Sequence, residues 1–151
     1  MGTVMFKRVL IANRGEIALR ISRALRELGI EVCIVHGRED RLSLPVRFSD
    51  FAIPIYRTNP LESYLDYEAV IQAAKDVGAD AIHPGYGFLA ENAAFVRRCE
   101  EEDIVFIGPS ADVIQLLGDK IEARKAMEAA GLPVAKGSDT SISDAGLAAE
   151  L

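Results

Sequence analysis

Four short runs dominate the chain: RVLIAN (8–13), EVCIVH (31–36), DAIH (80–83) and IVFIG (104–108). Each is rich in aliphatic and β-branched residues and bounded by turn formers. Runs of this length that are apolar throughout, rather than alternating, are what strands covered on both faces present. Stretches with helical periodicity lie between them. Strand, helix and strand in succession need crossover connections, and these are right-handed, so the product is a parallel sheet with helices on both faces. A fifth run, FAIPI (51–55), carries Pro54, which lacks a ladder donor and places it at an edge or a strand end.

The helices carry their own punctuation. Over 16–28, Ile17, Ile21, Ala24, Leu25 and Leu28 share one face, and Gly29 stops the helix. DYEAVIQAAKDVG (66–78) opens on an acidic cap and closes on glycine. Asn92 opens the next helix, which runs to about residue 103. Ser110 caps another, with Asp112 in its first turn. Asp119 caps the last, with Glu122 completing a capping box and Gly131 ending it. Periodicity is lost in VAKGSDTSISDAGLAAEL (134–151), which reads as a linker. The expected organisation is an N-terminal extension over 1–6, one α/β domain over 7–136 and a linker over 137–151.

The totals exclude several classes. A chain of 151 residues is about one domain. A net charge of -6 argues against nucleic acid, which rewards clustered Lys and Arg with counterion release. No apolar run approaches the ~18 residues of a membrane span. The N-terminus lacks a signal-peptide core, and Phe6 stands where a myristoylation signal has Ser or Thr. The expected home is the cytoplasm. Cys33 and Cys99, unpaired in spacing, read as buried free thiols. Two histidines and no CxxC make a metal cluster unexpected.

Ligands of an open parallel sheet bind outside the carboxyl ends of its strands. That rule puts residues 13–16, 36–41, 83–92 and 108–110 on one rim. ANRGEIALR has a single glycine, Gly15, where the dinucleotide fingerprint needs three, and His36 stands where the ribose-binding acid belongs, so NAD is not expected. Gly15 reads as the pivot of a tight strand-to-helix turn. AIHPGYGFLAEN (81–92) is the densest feature. Gly85 and Gly87 permit positive φ or close approach of a ligand. Tyr86 between them is expected at the rim with its hydroxyl free, and Glu91 and Asn92 are cap candidates. Lys120, just inside a helix, opposes the macrodipole and is expected to point out toward an anion. Glu16, Arg20, Arg23 and Glu27 form a charged stripe on the first helix: a solvated face, or a polar contact between copies. No nucleophile–base pair is readable.

Four blocks taken together, KRVLIANRGEIALRISRALRELGI, AIHPGYGFLAENAAF, FIGPSADVIQLLGDK and AMEAAGLPVAKGSD, closely resemble the N-terminal domain of biotin carboxylase, over about residues 7–139. The resemblance implies a Rossmann-like, pre-ATP-grasp domain of the ATP-dependent component of acyl-CoA and pyruvate carboxylases, which are ligases. It implies MgATP, bicarbonate and biotin on a carrier protein, with a carboxyltransferase as further partner. It matches Lys120 to a lysine contacting ATP phosphate, and Gly85, Tyr86, Gly87 and Glu91 to a loop beside the biotin ring. Arg20, Arg23 and Glu27 match the helix used in the family's homodimer. The family's glycine-rich phosphate loop, magnesium carboxylates and bicarbonate arginine fall beyond the position matching Leu151. The chain alone is therefore expected to hold no catalytic residue, no metal and no tightly bound cofactor, and to be inactive. The segment 36–66 departs from the family pattern, with His36-Gly37 where members often carry Tyr-Ser. A stand-alone pairing or carboxylase-binding module is the alternative.

Overall fold

The computed structural model describes residues 6–134. The linker expected over 137–151 lies outside the described residues, as does nearly all of the extension expected over 1–6. The elements are β1 (Arg8–Ile11), α1 (Gly15–Glu27), β2 (Glu31–His36), α2 (Leu44–Phe48), β3 (Phe51–Pro54), α3 (Glu62–Leu65), α4 (Tyr67–Val77), β4 (Ala81–His83), α5 (Ala93–Glu101), β5 (Val105–Phe106), α6 (Ala111–Gly118) and α7 (Lys120–Ala129). The five strands form one parallel sheet in the order β3-β2-β1-β4-β5.

The side-chain alternation of each strand divides two cores. Val9, Ile11, Val32, Ile34 and Ala81 face α1, meeting Ala18, Ile21 and Leu25. Leu10, Cys33, Val35 and Ile82 face the other way, meeting Val70, Ile71 and Ala74 of α4 and Phe95 and Cys99 of α5. Each fully buried Leu or Ile contributes about 1.5–3 kcal/mol. Both-face burial holds for β1 and β2 but not at the edges. Phe51 in β3 is 38% exposed and Val105 in β5 is 49% exposed, because an outer strand lacks helix cover on its far side.

Three other expectations shift. The buried face of α1 is Ala18, Ile21, Ser22 and Leu25; Ala24 and Leu28 are exposed. Ser22 fits inside because its hydroxyl donates to the Ala18 carbonyl at 2.7 Å. Two short helices, α2 and α3, occupy the segment between β2 and α4, where no helical period is legible. At the head of α7, Asp119 Oδ1 accepts from the Ile121 and Glu122 amides at 2.9 and 3.1 Å. The Glu122 carboxylate turns instead to Lys125 Nζ at 2.9 Å, so the box is one-sided. Asn92 and Ser110 cap α5 and α6 as their positions suggest. Among the described residues no helix is long and apolar enough to cross a membrane.

Candidate functional site

The strand order reverses at one place. α1 leaves β1 for one face of the sheet, and α5 leaves β4 for the other. The chain therefore parts above the carboxyl ends of β1 and β4, and such a parting is where open α/β sheets bind ligands. Residues 13–16 and 84–87 line it. Of the four rim segments, these two meet most closely, with the Ala12 amide donating to the His83 carbonyl at 3.0 Å beneath them.

Local chemistry sets the turn on each side. β1 ends at Ile11, and Gly15 at φ +64 swings the chain into α1. Asn13 is 2% exposed and its side chain points across the parting. Its Nδ2 donates to the Pro84 carbonyl at 2.7 Å and the Tyr86 carbonyl at 2.8 Å, while its Oδ1 accepts from the Arg14 amide at 2.8 Å. Opposite, Gly85 and Gly87 take φ +68 and +64, and Phe88 takes +44. His83 Nδ1 accepts from the Gly85 amide at 3.1 Å, which places the neutral ring's proton on Nε2. Burial holds the His83 pKa below its ordinary value.

Tyr86 projects at the rim, 59% exposed. Its hydroxyl is not free: it donates to Glu16 Oε1 from the first turn of α1. The two groups meet because α1 begins beside the loop, a proximity of residues 70 apart that no local pattern encodes. The carboxylate acceptor favours the protonated phenol and raises the Tyr86 pKa. What is offered outward is the flat ring rather than the hydroxyl.

A second polar network braces the β2 side. Arg14 and Asp40 pair through two contacts, Nε to Oδ2 at 2.9 Å and an Nη to Oδ1 at 3.0 Å. The Tyr64 hydroxyl donates to Asp40 Oδ2 at 2.6 Å and accepts from the Gly37 amide at 3.0 Å. Burial and that carboxylate push the Tyr64 pKa up. The Tyr64 ring packs on Phe88 at 5.4 Å between centroids, which ties this network to the glycine loop.

The remaining site candidates lie elsewhere. Glu91 is exposed and does not cap α5; it lines a shallow concavity of about 300 Å³ with Ala90, Pro109, Ile114, Leu117 and Gly118. Lys120 is exposed at the first position of α7, with no ion-pair partner among the described residues. Arg20, Arg23 and Glu27 are exposed on α1 and also make no ion pair there. No group of three or more His, Cys, Asp or Glu among the described residues could hold a metal. Cys33 and Cys99 are buried, and burial pushes both thiols up to about 12, which suppresses thiolate chemistry.

The sequence of residues 5–114 matches the family described as biotin carboxylase, N-terminal domain. The chain is 52% identical over 140 residues to biotin carboxylase 2 of Bacillus subtilis, covering 93% of this chain and 32% of that protein. It is 53% identical over 140 residues to the biotin carboxylase of Haemophilus influenzae, covering 93% of this chain and 31% of that one. The fold superposes with a TM-score of 0.92, at 47% identity, on the biotin carboxylase domain dimer of Hydrogenobacter thermophilus 2-oxoglutarate carboxylase, which was crystallised with MgADP, ADP and bicarbonate. The match covers 98% of this chain and 32% of that one. The chain thus spans about a third of the length of its relatives. With the family model covering most of its length and the same sheet recurring at nearly half identity, the chain belongs to the family of biotin carboxylase N-terminal domains.

Proposed function

We propose that this chain serves as the N-terminal domain of an ATP-dependent biotin carboxylase, a ligase that carboxylates carrier-bound biotin with bicarbonate. The observation that carries the reading is the Tyr86 loop, braced from α1 at the point where the sheet's topology parts. Residues 84–87 supply one wall of the biotin-facing cleft, with the exposed Tyr86 ring as its surface, and Glu91 at the loop's far end. Lys120, exposed and without an ion-pair partner among the described residues, fits a contact to nucleotide phosphate. MgATP supplies the activated phosphoryl group when bound. This chain's share is one cation, and the described residues offer no carboxylate cluster for the magnesium. Residues 7–136 form the domain and 137–151 lead on from it. A carrier protein and a carboxyltransferase are the partners, and the cytoplasm is the compartment.

The test is a domain exchange. This chain should cleave no ATP in a biotin-dependent manner by itself, because phosphoryl transfer needs metal and charge clamps, and no metal-holding group is present among the described residues. Placed in the Bacillus subtilis biotin carboxylase 2 in exchange for that enzyme's own N-terminal domain, it should restore turnover dependent on biotin and bicarbonate. Lys120→Ala in the exchanged enzyme should lower turnover about 10²-fold, the scale of one electrostatic contact to the transition state. A folded exchange enzyme without biotin-dependent turnover would overturn the reading.

A second reading has its own support. Arg20, Arg23 and Glu27 form an exposed stripe without ion pairs among the described residues, which suits self-pairing of two copies with or without catalysis. Light scattering that finds only monomer at high concentration would remove it.

A further inference from the structure

The loop that carries Tyr86 is difficult to hold in one shape. Three of its residues have positive φ, and one of these, Phe88 at +44, has a side chain that disfavours it. Such backbone persists only where neighbours over-determine it. Several ties are visible, and they differ in kind. The His83 tie to the Gly85 amide is local, spanning two residues. The Glu16 tie to the Tyr86 hydroxyl is exposed to water. The Phe88 ring rests on Tyr64 by packing alone.

Asn13 is different. It is 2% exposed, it follows the central strand, and its amide is already oriented by the Arg14 amide on its Oδ1. Both of its N–H groups go to the loop, one to the carbonyl on each side of Gly85. The side chain therefore pinches the loop across that glycine. The pinch also accounts for the glycine. A Cβ at residue 85 would lie 2.7 Å from Asn13 Nδ2, so an alanine is barred there by the clamp as well as by φ +68.

We infer that Asn13 is a positioning residue, whose amide sets the backbone of the Gly85–Tyr86–Gly87 turn and so the placement of the Tyr86 ring at the crevice mouth. Its meaning for catalysis rests on the reading of this loop as the biotin-facing wall. The inference separates donation from shape. Asn13→Asp preserves shape and the acceptor for Arg14 but cannot donate, and it turns a carboxylate toward two carbonyls.

The experiment is residue-resolved amide hydrogen exchange on the 151-residue chain. The readouts are the loop amides that make hydrogen bonds, Gly85, Ala90 and Asn92, against sheet amides in 9–11 and 32–35. In Asn13→Asp the loop amides should exchange about 10-fold faster or more, with the sheet amides unchanged. Equal acceleration in loop and sheet would reduce Asn13 to a stability residue and overturn the inference. So would an unchanged loop in a folded variant. Should Asn13→Asp not fold, Asn13→Ala carries the same comparison. A second readout is coupling. Gly85→Ala should accelerate loop exchange more in the wild-type chain than in Asn13→Ala, where the clashing amide is gone; equal effects in both backgrounds would also overturn it. No biotin enters these measurements. Their failure removes the clamp and leaves the biotin reading to the exchange enzyme, whereas an inactive exchange enzyme leaves the clamp standing.

Discussion

The β1–β4 crevice and the α6–α7 pair both carry a proposed site residue, but they are held in place by different forces. Around the crevice, Val9, Leu10, Ile11, Ala81 and Ile82 are at 0% exposure, and a buried amide ties the loop above them. α6 buries only Ala111 and Ile114, and α7 buries nothing. Val113, Leu116, Leu117 and Leu132 are each more than 40% exposed. Among the described residues, the contacts of α7 include the Asp119 cap, the Lys125–Glu122 ion pair and its junction with α6. Isolated helices of this length are marginal in water without packing. A side chain on the packed half is thus placed by this chain's own fold. One on the cap-held half is placed by fewer buried contacts. Tyr86 belongs to the first kind and Lys120 to the second. The Tyr86 loop, proposed as the biotin-facing wall, should be preformed in this chain, while Lys120, proposed to meet phosphate, should not be fixed.

The largest expected effect tests the difference directly. Leu10→Ala removes a fully buried side chain between the sheet and α4, and should lower unfolding stability by about 2–5 kcal/mol. Leu117→Ala removes one that is 48% exposed, and should change it by about 0.5 kcal/mol or less. Urea titration of the two variants reads both. Equal losses would show that α6 belongs to the same cooperative core, and the comparison would break. A smaller effect sharpens it. Asp119→Ala deletes the cap of α7 and should cost about 1 kcal/mol. The loss should appear as faster amide exchange at Ile121 and Glu122, with the global urea midpoint barely moved, because α7 has no buried residue among those described. A fall in the midpoint of Leu10→Ala size would contradict the local account.

What can be read from the sequence follows the same division between local and long-range chemistry. β1, β2, β4 and the caps at Asn92, Ser110 and Asp119 are legible because each is a local pattern, a short apolar run or a polar residue before a helical period. The family is legible because four blocks recur in order. The short helices α2 and α3 are not, since four or five residues hold barely one period. The face of α1 departs from its apolar stripe at Ala24 and Leu28, because the sheet decides which apolar residues on a broad stripe are covered. At the site, the loop glycines announce themselves. The clamp does not: Asn13 and Tyr86 lie 73 residues apart, and only the β1–β4 pairing brings them together. The available signal is an asparagine closing the apolar run RVLIAN, a polar side chain where a buried partner would be required. Glu16 meeting Tyr86 has no signal at all.

The smallest effect divides the two halves by pH. His83 ends β4 half-buried, and its Nδ1 accepts the Gly85 amide. Protonation would set an N–H against that amide and leave a charge in a desolvated place, so burial holds the pKa below the ordinary 6.5. The unfolded chain then takes up the proton before the folded one does. Stability associated with the neutral ring is fully present above pH 6.5 and is lost as pH falls below it, through the folded-state pKa. His83→Asn removes the titration while its Oδ1 stands near the Nδ1 position to receive the amide. Wild type should lose urea stability relative to His83→Asn as pH falls from about 7.5 to about 5, with exchange at Gly85 quickening over the same range. Exchange at Ile121 and Glu122, corrected for the intrinsic pH dependence of amide exchange, should stay level, since no histidine lies in α6 or α7. Parallel losses in wild type and His83→Asn would place the acid sensitivity outside the crevice. Acceleration in α7 matching that at Gly85 would mean that the two halves open together.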